Sequence, residues 1–99
     1  MIKMDKTVYL VNLYDYYSSL LTEKQREYFE DYYFKDLSLS EISENRGISR
    51  NGIYKVIKET ENKLTYYEKL LCLYEKSIKI RKLVTDLDDE IREKIEELI

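Results

Sequence analysis

Residues 40–58 read SEISENRGISRNGIYKVIK. From Ser49 to Lys58 there is no acidic residue, although the 99-residue chain carries 20 Asp and Glu against 17 Lys and Arg, a net charge of −3. Both of the chain's glycines, Gly47 and Gly52, also fall in this window. Read as two short helices, the stretch meets the physical demands of a helix-turn-helix. Ile42 gives the first helix an apolar residue facing its partner, and Ser43 is small where the two helices cross. Gly47 tolerates the positive φ that a tight turn requires. Ile48 seals the turn from inside, and Ile53, Val56 and Ile57 recur on one face of the second helix.

The same spacing assigns the outer face. With Ile53, Val56 and Ile57 turned inward, Arg50, Asn51, Tyr54, Lys55 and Lys58 lie on the exposed side and front of the second helix. Arg46, at the end of the first helix, adds a fourth cation to Arg50, Lys55 and Lys58. In this motif the second helix enters the DNA major groove. Arg and Lys pair with guanine edges or phosphates, and Asn reads adenine. The Ser49 hydroxyl and the open N–H groups at the helix start suit a phosphate. Carboxylates here would repel the backbone of DNA, which accounts for their absence. Gly52 is at odds with this design. Within a helix it costs about 1 kcal/mol relative to alanine, unless a phosphate or base approaches closely there. Helix-turn-helix units also serve as structural or protein-binding elements, and a cluster of four cations supports few phosphate contacts. The residues therefore leave both uses open.

Composition narrows the classes. A chain of 99 residues makes one domain with a modest core. It is 43% hydrophobic and 37% charged, with no proline to interrupt helices. A net acidic balance argues against non-specific coating of nucleic acid, so any such contact is a local patch. Cys72 is the single cysteine and histidine is absent. That excludes a disulfide framework, most zinc sites and histidine acid–base chemistry. Adjacent carboxylates such as Asp88 and Asp89 point apart on a helix, and Cys72 among Leu71, Leu73 and Tyr74 reads as packing. No enzyme activity, cofactor or metal is expected. No apolar run approaches the ~20 residues of a membrane span, and the N-terminus, MIKMDKTVYLVNLYDYY, has no signal-peptide pattern. The expected compartment is the cytoplasm.

Outside the opening window the pattern is helical throughout, so the fold class is all-α. A first helix is expected from near Asp5, with Val8, Val11, Leu13, Tyr14, Tyr17, Leu20 and Leu21 as its apolar face. Thr22 and Gln25 have capping-box spacing and open a helix to about Lys35 carrying Tyr28, Phe29, Tyr32 and Tyr33. Ser38 and Glu41 form a second capping box. Ser49 caps a fourth helix with no evident stop before about Lys82. From Ile57 its apolar residues (57, 64, 67, 71, 74, 78) make a short 3–4 repeat. That repeat packs under the first two helices or forms a seam to a second copy; the expectation is a homodimer through residues 57–78, which would also suit two half-sites on DNA. Thr85 or Asp86 caps a last helix with Leu87, Ile91, Ile95 and Leu98. The chain thus divides into a helix-turn-helix domain over residues 1–85, with an extended fourth helix, and an acidic C-terminal helix over 86–99 that is no separate domain.

LYDYYSSLLTEKQREYFEDYYFKDLSLSEISENRGISRNGIYKVIKETENKL (13–64), followed by YYEKLLCLYEK (66–76), resembles the YlxM family of small bacterial helix-turn-helix proteins. The resemblance covers about residues 8–85. It implies a helix-turn-helix similar to the promoter-reading C-terminal domain of sigma-70-type factors. It also implies a DNA-binding or regulatory role linked to the signal recognition particle pathway, since these proteins are often encoded beside the particle protein Ffh. The family's turn maps onto Gly47, Ile48 and Ser49, and its recognition positions onto Arg50, Asn51, Tyr54, Lys55 and Lys58. Gly52 departs from the family pattern. The acidic segment DLDDEIREKIEELI looks less family-like, and nothing is carried onto it.

The eleven tyrosines sit mostly at helical spacing beside Leu and Ile, which reads as packing rather than base stacking. Tyr54 is the exception, because it projects with the basic residues. The expectation is a regulatory accessory protein that binds DNA. The rival is a module that contacts Ffh or its RNA without reading DNA. The acidic last helix reads as a solvated face, or as a surface for a basic partner or for the protein's own basic patch.

Overall fold

The computed structural model describes residues 5–99. The chain folds as α1 (Lys6–Tyr17), a 3-10 turn (Ser18–Leu20), α2 (Glu23–Tyr33), α3 (Leu39–Arg46), α4 (Arg50–Leu71), α5 (Leu73–Leu83) and α6 (Asp89–Glu96). No strand occurs among the described residues.

The caps follow the sequence closely. The Asp5 carboxylate accepts from Thr7 N–H and starts α1. Both capping boxes form: Thr22 with Gln25, and Ser38 with Glu41. α3 ends at Gly47, which has φ 66° and ψ 31°. The last helix is capped by Asp88, not by Thr85 or Asp86, because the chain turns once more through Leu87 N–H to Val84 C=O before α6 begins.

α4 is the spine. Leu64 packs in a cluster with Leu10, Leu13, Tyr14 and Tyr17 of α1, Leu21 and Phe29. Ile53 and Ile57 close a second cluster with Tyr28 and Ile42, flanked by Leu39, Ile48 and Val56. One helix therefore bridges the N-terminal pair and the helix-turn-helix, and fixes the orientation of its own outer face. The apolar faces are narrower than the sequence implies. Val8 and Leu20 are about half exposed, and Tyr32 of α2 also reaches solvent; α1 ends at Tyr17, so Leu20 falls in the 3-10 turn and leaves the helix's apolar face.

The uninterrupted fourth helix does not form. Cys72 takes φ 55° and ψ 30°, a left-handed conformation, and divides the expected helix into α4 and α5. The Glu68 carboxylate accepts from Tyr74 N–H at 3.1 Å and Glu75 N–H at 3.0 Å. It thus caps α5, for which Cys72 supplies no side-chain bond. The 57–78 seam is lost with the straight helix. Ile57 and Leu64 are spent inside the chain's own core, and Leu71 turns to solvent.

Candidate nucleic-acid interface

The turn between α3 and α4 is held from within. Gly47 N–H and Ile48 N–H both return to Ser43 C=O, and the Ser43 hydroxyl donates to Ile48 C=O. Ser43 is thus more than a small residue at a crossing, because it ties the turn on both sides. Ile42 and Ile53 are fully buried beneath it, and Ile48 and Val56 are half-buried against the same cluster.

Ser49 caps α4 by accepting from Gly52 N–H at 3.1 Å. Ile53 N–H bonds to Ser49 C=O, and the Arg50 and Asn51 N–H groups have no acceptor among the described residues. A β-carbon on Gly52 would meet Ile48 Cγ2 at 3.0 Å and Ser49 Oγ at 3.1 Å. Gly52 therefore makes room for the turn's own apolar plug and its cap. The glycine thus has a packing reason internal to the motif.

Arg50, Asn51, Tyr54 and Lys55 all stand in solvent along one side of α4. Arg50 and Lys55 have no ion-pair partner among the described residues. The other two cations of the expected cluster are placed differently. Arg46 Nε lies 3.0 Å from Asp31 Oδ2, its Nη1 lies 3.2 Å from Glu27 Oε2, and its guanidinium stands over the Tyr28 ring. Lys58 Nζ is 3.3 Å from Glu61 Oε1, an oxygen that Lys6 also approaches at 3.7 Å. The second oxygen of Glu61 accepts from the Tyr33 hydroxyl. Glu61 is itself nearly buried.

These pairs leave electrostatic traces. Burial alone would raise the Asp31 carboxyl, but hydrogen bonds and charge from Arg46 and Lys35 outweigh it and hold it below its ordinary value. The bond to Glu61, joined by that residue's charge, holds the Lys58 ammonium above its ordinary value. Arg46 is thus a strap between α3 and α2, and Lys58 is a half-exposed cation anchored at one end. Sequence reading could not find Asp31 and Glu27, which lie 15 and 19 residues from Arg46. Glu61, three residues beyond Lys58 on the same helix, carried a legible signal in its i, i+3 spacing.

The comparisons agree with this architecture. Residues 4–99 match the UPF0122 family model, described as "Putative helix-turn-helix protein, YlxM / p13 like". The match extends over the acidic last helix, so the reading of that segment as less family-like is corrected. A UPF0122 protein of Fusobacterium nucleatum is 45% identical over 97 residues, covering 97% of this chain and 94% of its own. One from Geobacillus sp. is 43% identical over 91 residues, 92% of this chain and 83% of its own. Another, from Ureaplasma parvum, is 42% identical over 99 residues, 99% of this chain and 100% of its own. With the family model matching residues 4–99 and these relatives 42–45% identical over most of the chain, the chain belongs to the UPF0122 family of YlxM/p13-like proteins.

Proposed function

We propose that this protein binds nucleic acid, and specifically duplex DNA, by inserting the outer face of α4 into a major groove. The observation that carries the reading is the acid-free front of α4. Ile53 and Ile57 lock the helix on the core, while Arg50, Asn51, Tyr54 and Lys55 stand together in solvent. Arg50 and Lys55 contact phosphate or guanine, Asn51 reads adenine, and Tyr54 makes apolar contact with a thymine methyl. The open Arg50 and Asn51 N–H groups and the Ser49 hydroxyl receive a phosphate at the helix start. Arg46 and Lys58 contribute at the margin, since each already has an acidic partner. The role inferred from the YlxM resemblance is that of a cytoplasmic regulatory accessory of the signal recognition particle pathway.

The same ion pairs favour a second reading. With Arg46 and Lys58 neutralised by their own chain, the positive field of the face is thin. A module that meets Ffh through a protein contact, and never reads DNA, needs no more than this, and the particle's RNA would be held through the same few open cations. Fluorescence anisotropy separates the readings, with random duplex DNA and signal recognition particle RNA titrated against the wild type and an Arg50→Glu/Lys55→Glu variant. A DNA reader with two open cations should show a log K against log salt slope near −2 per protein chain, and the double variant should lose binding. RNA binding alone would transfer the function to the particle. Binding to neither at low salt would overturn the nucleic-acid reading.

A further inference from the structure

α5 and α6 form an arm whose two helices carry opposite charge. α5 presents Lys76, Lys79, Arg81 and Lys82 with Glu75 as its one acid, and the following segment, DLDDEIREKIEELI, is acidic but for Arg92 and Lys94. Every ion pair of the arm is local: Lys79 with Glu75, Arg92 with Asp89, Lys94 with Glu90. None joins α5 to α6 among the described residues, so Lys76 and Lys82 on one helix and Glu93 and Glu97 on the other stay unmatched. Apolar side chains lie exposed between these charges. Leu83 is 80% exposed, Leu98 85%, Ile91 48% and Leu87 41%. Leu83 follows Lys79 by four residues and Lys76 by seven, so the three share one stripe of α5. The chain is also more extended than its size requires. Its radius of gyration is 16.4 Å and its longest dimension 52 Å, whereas a compact domain of 100 residues has a radius near 13 Å.

We propose that a second copy of the chain covers this arm. Two arms pair about a two-fold axis, with the acidic α6 of each copy against the basic α5 of the other and the exposed aliphatic side chains closed between them. A second copy fits because the arm contains both halves of the complementarity, and a two-fold contact uses one self-complementary patch twice. A nucleic acid or an anionic membrane would be repelled by α6. The patch shares no residue with the Arg50–Lys58 face, so the pairing stands apart from what α4 binds. It would present two α4 faces in one particle.

Sedimentation velocity on the full chain tests this. The wild type is expected to sediment as a dimer at roughly 50 µM, with a dissociation constant in the micromolar class that weakens as salt is added. Lys76→Glu/Lys82→Glu and Glu93→Lys/Glu97→Lys should each sediment as monomers with unchanged helical circular dichroism. Mixed in equal amounts they should recover the dimer, because the acidic α6 of the first then meets the basic α5 of the second, and the reversed pair does the same. Leu83→Asp/Ile91→Asp should remain monomeric in every mixture. A monomeric wild type, a dimer that survives Leu83→Asp/Ile91→Asp, or charge variants that fail to recover the dimer on mixing would each overturn the proposal.

Discussion

The Tyr17 hydroxyl donates to Glu68 Oε1 at 2.6 Å and accepts from Leu73 N–H at 3.1 Å, so a buried residue of α1 holds the break between α4 and α5. Three N–H groups at the start of α5 depend on this pair. Glu68→Leu removes the acceptors of Tyr74 and Glu75, and Tyr17→Phe strands Leu73 N–H and leaves Glu68 Oε1 with Tyr74 N–H alone. Each should destabilise the fold by about 1–3 kcal/mol. Thermal unfolding followed by circular dichroism measures it. A loss indistinguishable from zero in both variants would mean that the backbone break is held by packing alone.

The same pair sets an alkaline limit. Burial and then the bond to Glu68 push the Tyr17 phenol from 10.0 up to about 12. Burial followed by bonds to Glu30 and Glu61 raises Tyr14 and Tyr33 as well. A raised pKa in the folded state means that the stabilisation is complete below pH 10 and is lost as pH climbs through the folded value. The melting temperature should therefore hold steady up to about pH 10 and fall steeply toward pH 12. Phenolate absorbance at equilibrium should show part of the tyrosine signal appearing only with unfolding. Full ionisation of every tyrosine near pH 10 in the folded protein would contradict this.

Arg46 and Arg50 should separate stability from binding. Arg46→Ala leaves the buried Asp31 with only Lys35 and should cost roughly 1–3 kcal/mol. Arg50→Ala touches no internal partner and should leave stability within about 0.5 kcal/mol while weakening nucleic-acid binding. Because Asp31 is held below its ordinary value of 3.8, its contribution is present above that pH and disappears as pH falls through the folded value. The stability gap between wild type and Arg46→Ala should therefore close in acid. Urea titrations at pH 7 and at successive steps down from pH 4 would show whether it does.

Gly52→Ala tests the turn. Removing a helical glycine gains up to about 1 kcal/mol. Here the new methyl must displace Ile48 Cγ2 or Ser49 Oγ, the plug and the cap of the motif. The two effects should nearly cancel, leaving the melting temperature close to that of the wild type. A full propensity gain would mean that Ile48 yields freely.

What the sequence determined by itself is local. Thr22 with Gln25, Ser38 with Glu41, Gly47 and Ser49 each act within a few residues, so their spacing specifies the caps, the turn and the inner face of α4 without any knowledge of the fold. The acid-free outer face of α4 was legible for the same reason, because helical period alone separates it from Ile53 and Ile57. The tertiary structure decided the long-range pairings. Cys72 looks like any helical residue, and its left-handed conformation comes with bonds that only folding makes, from Tyr17, 56 residues from Leu73, and from the buried Glu68. Arg46 and Lys58 read as cations ready for phosphate until Asp31, Glu27 and Glu61 are brought beside them. Periodicity reports which side of a helix is apolar. Which buried carboxylate meets which cation or N–H group depends on chain segments that only folding brings together.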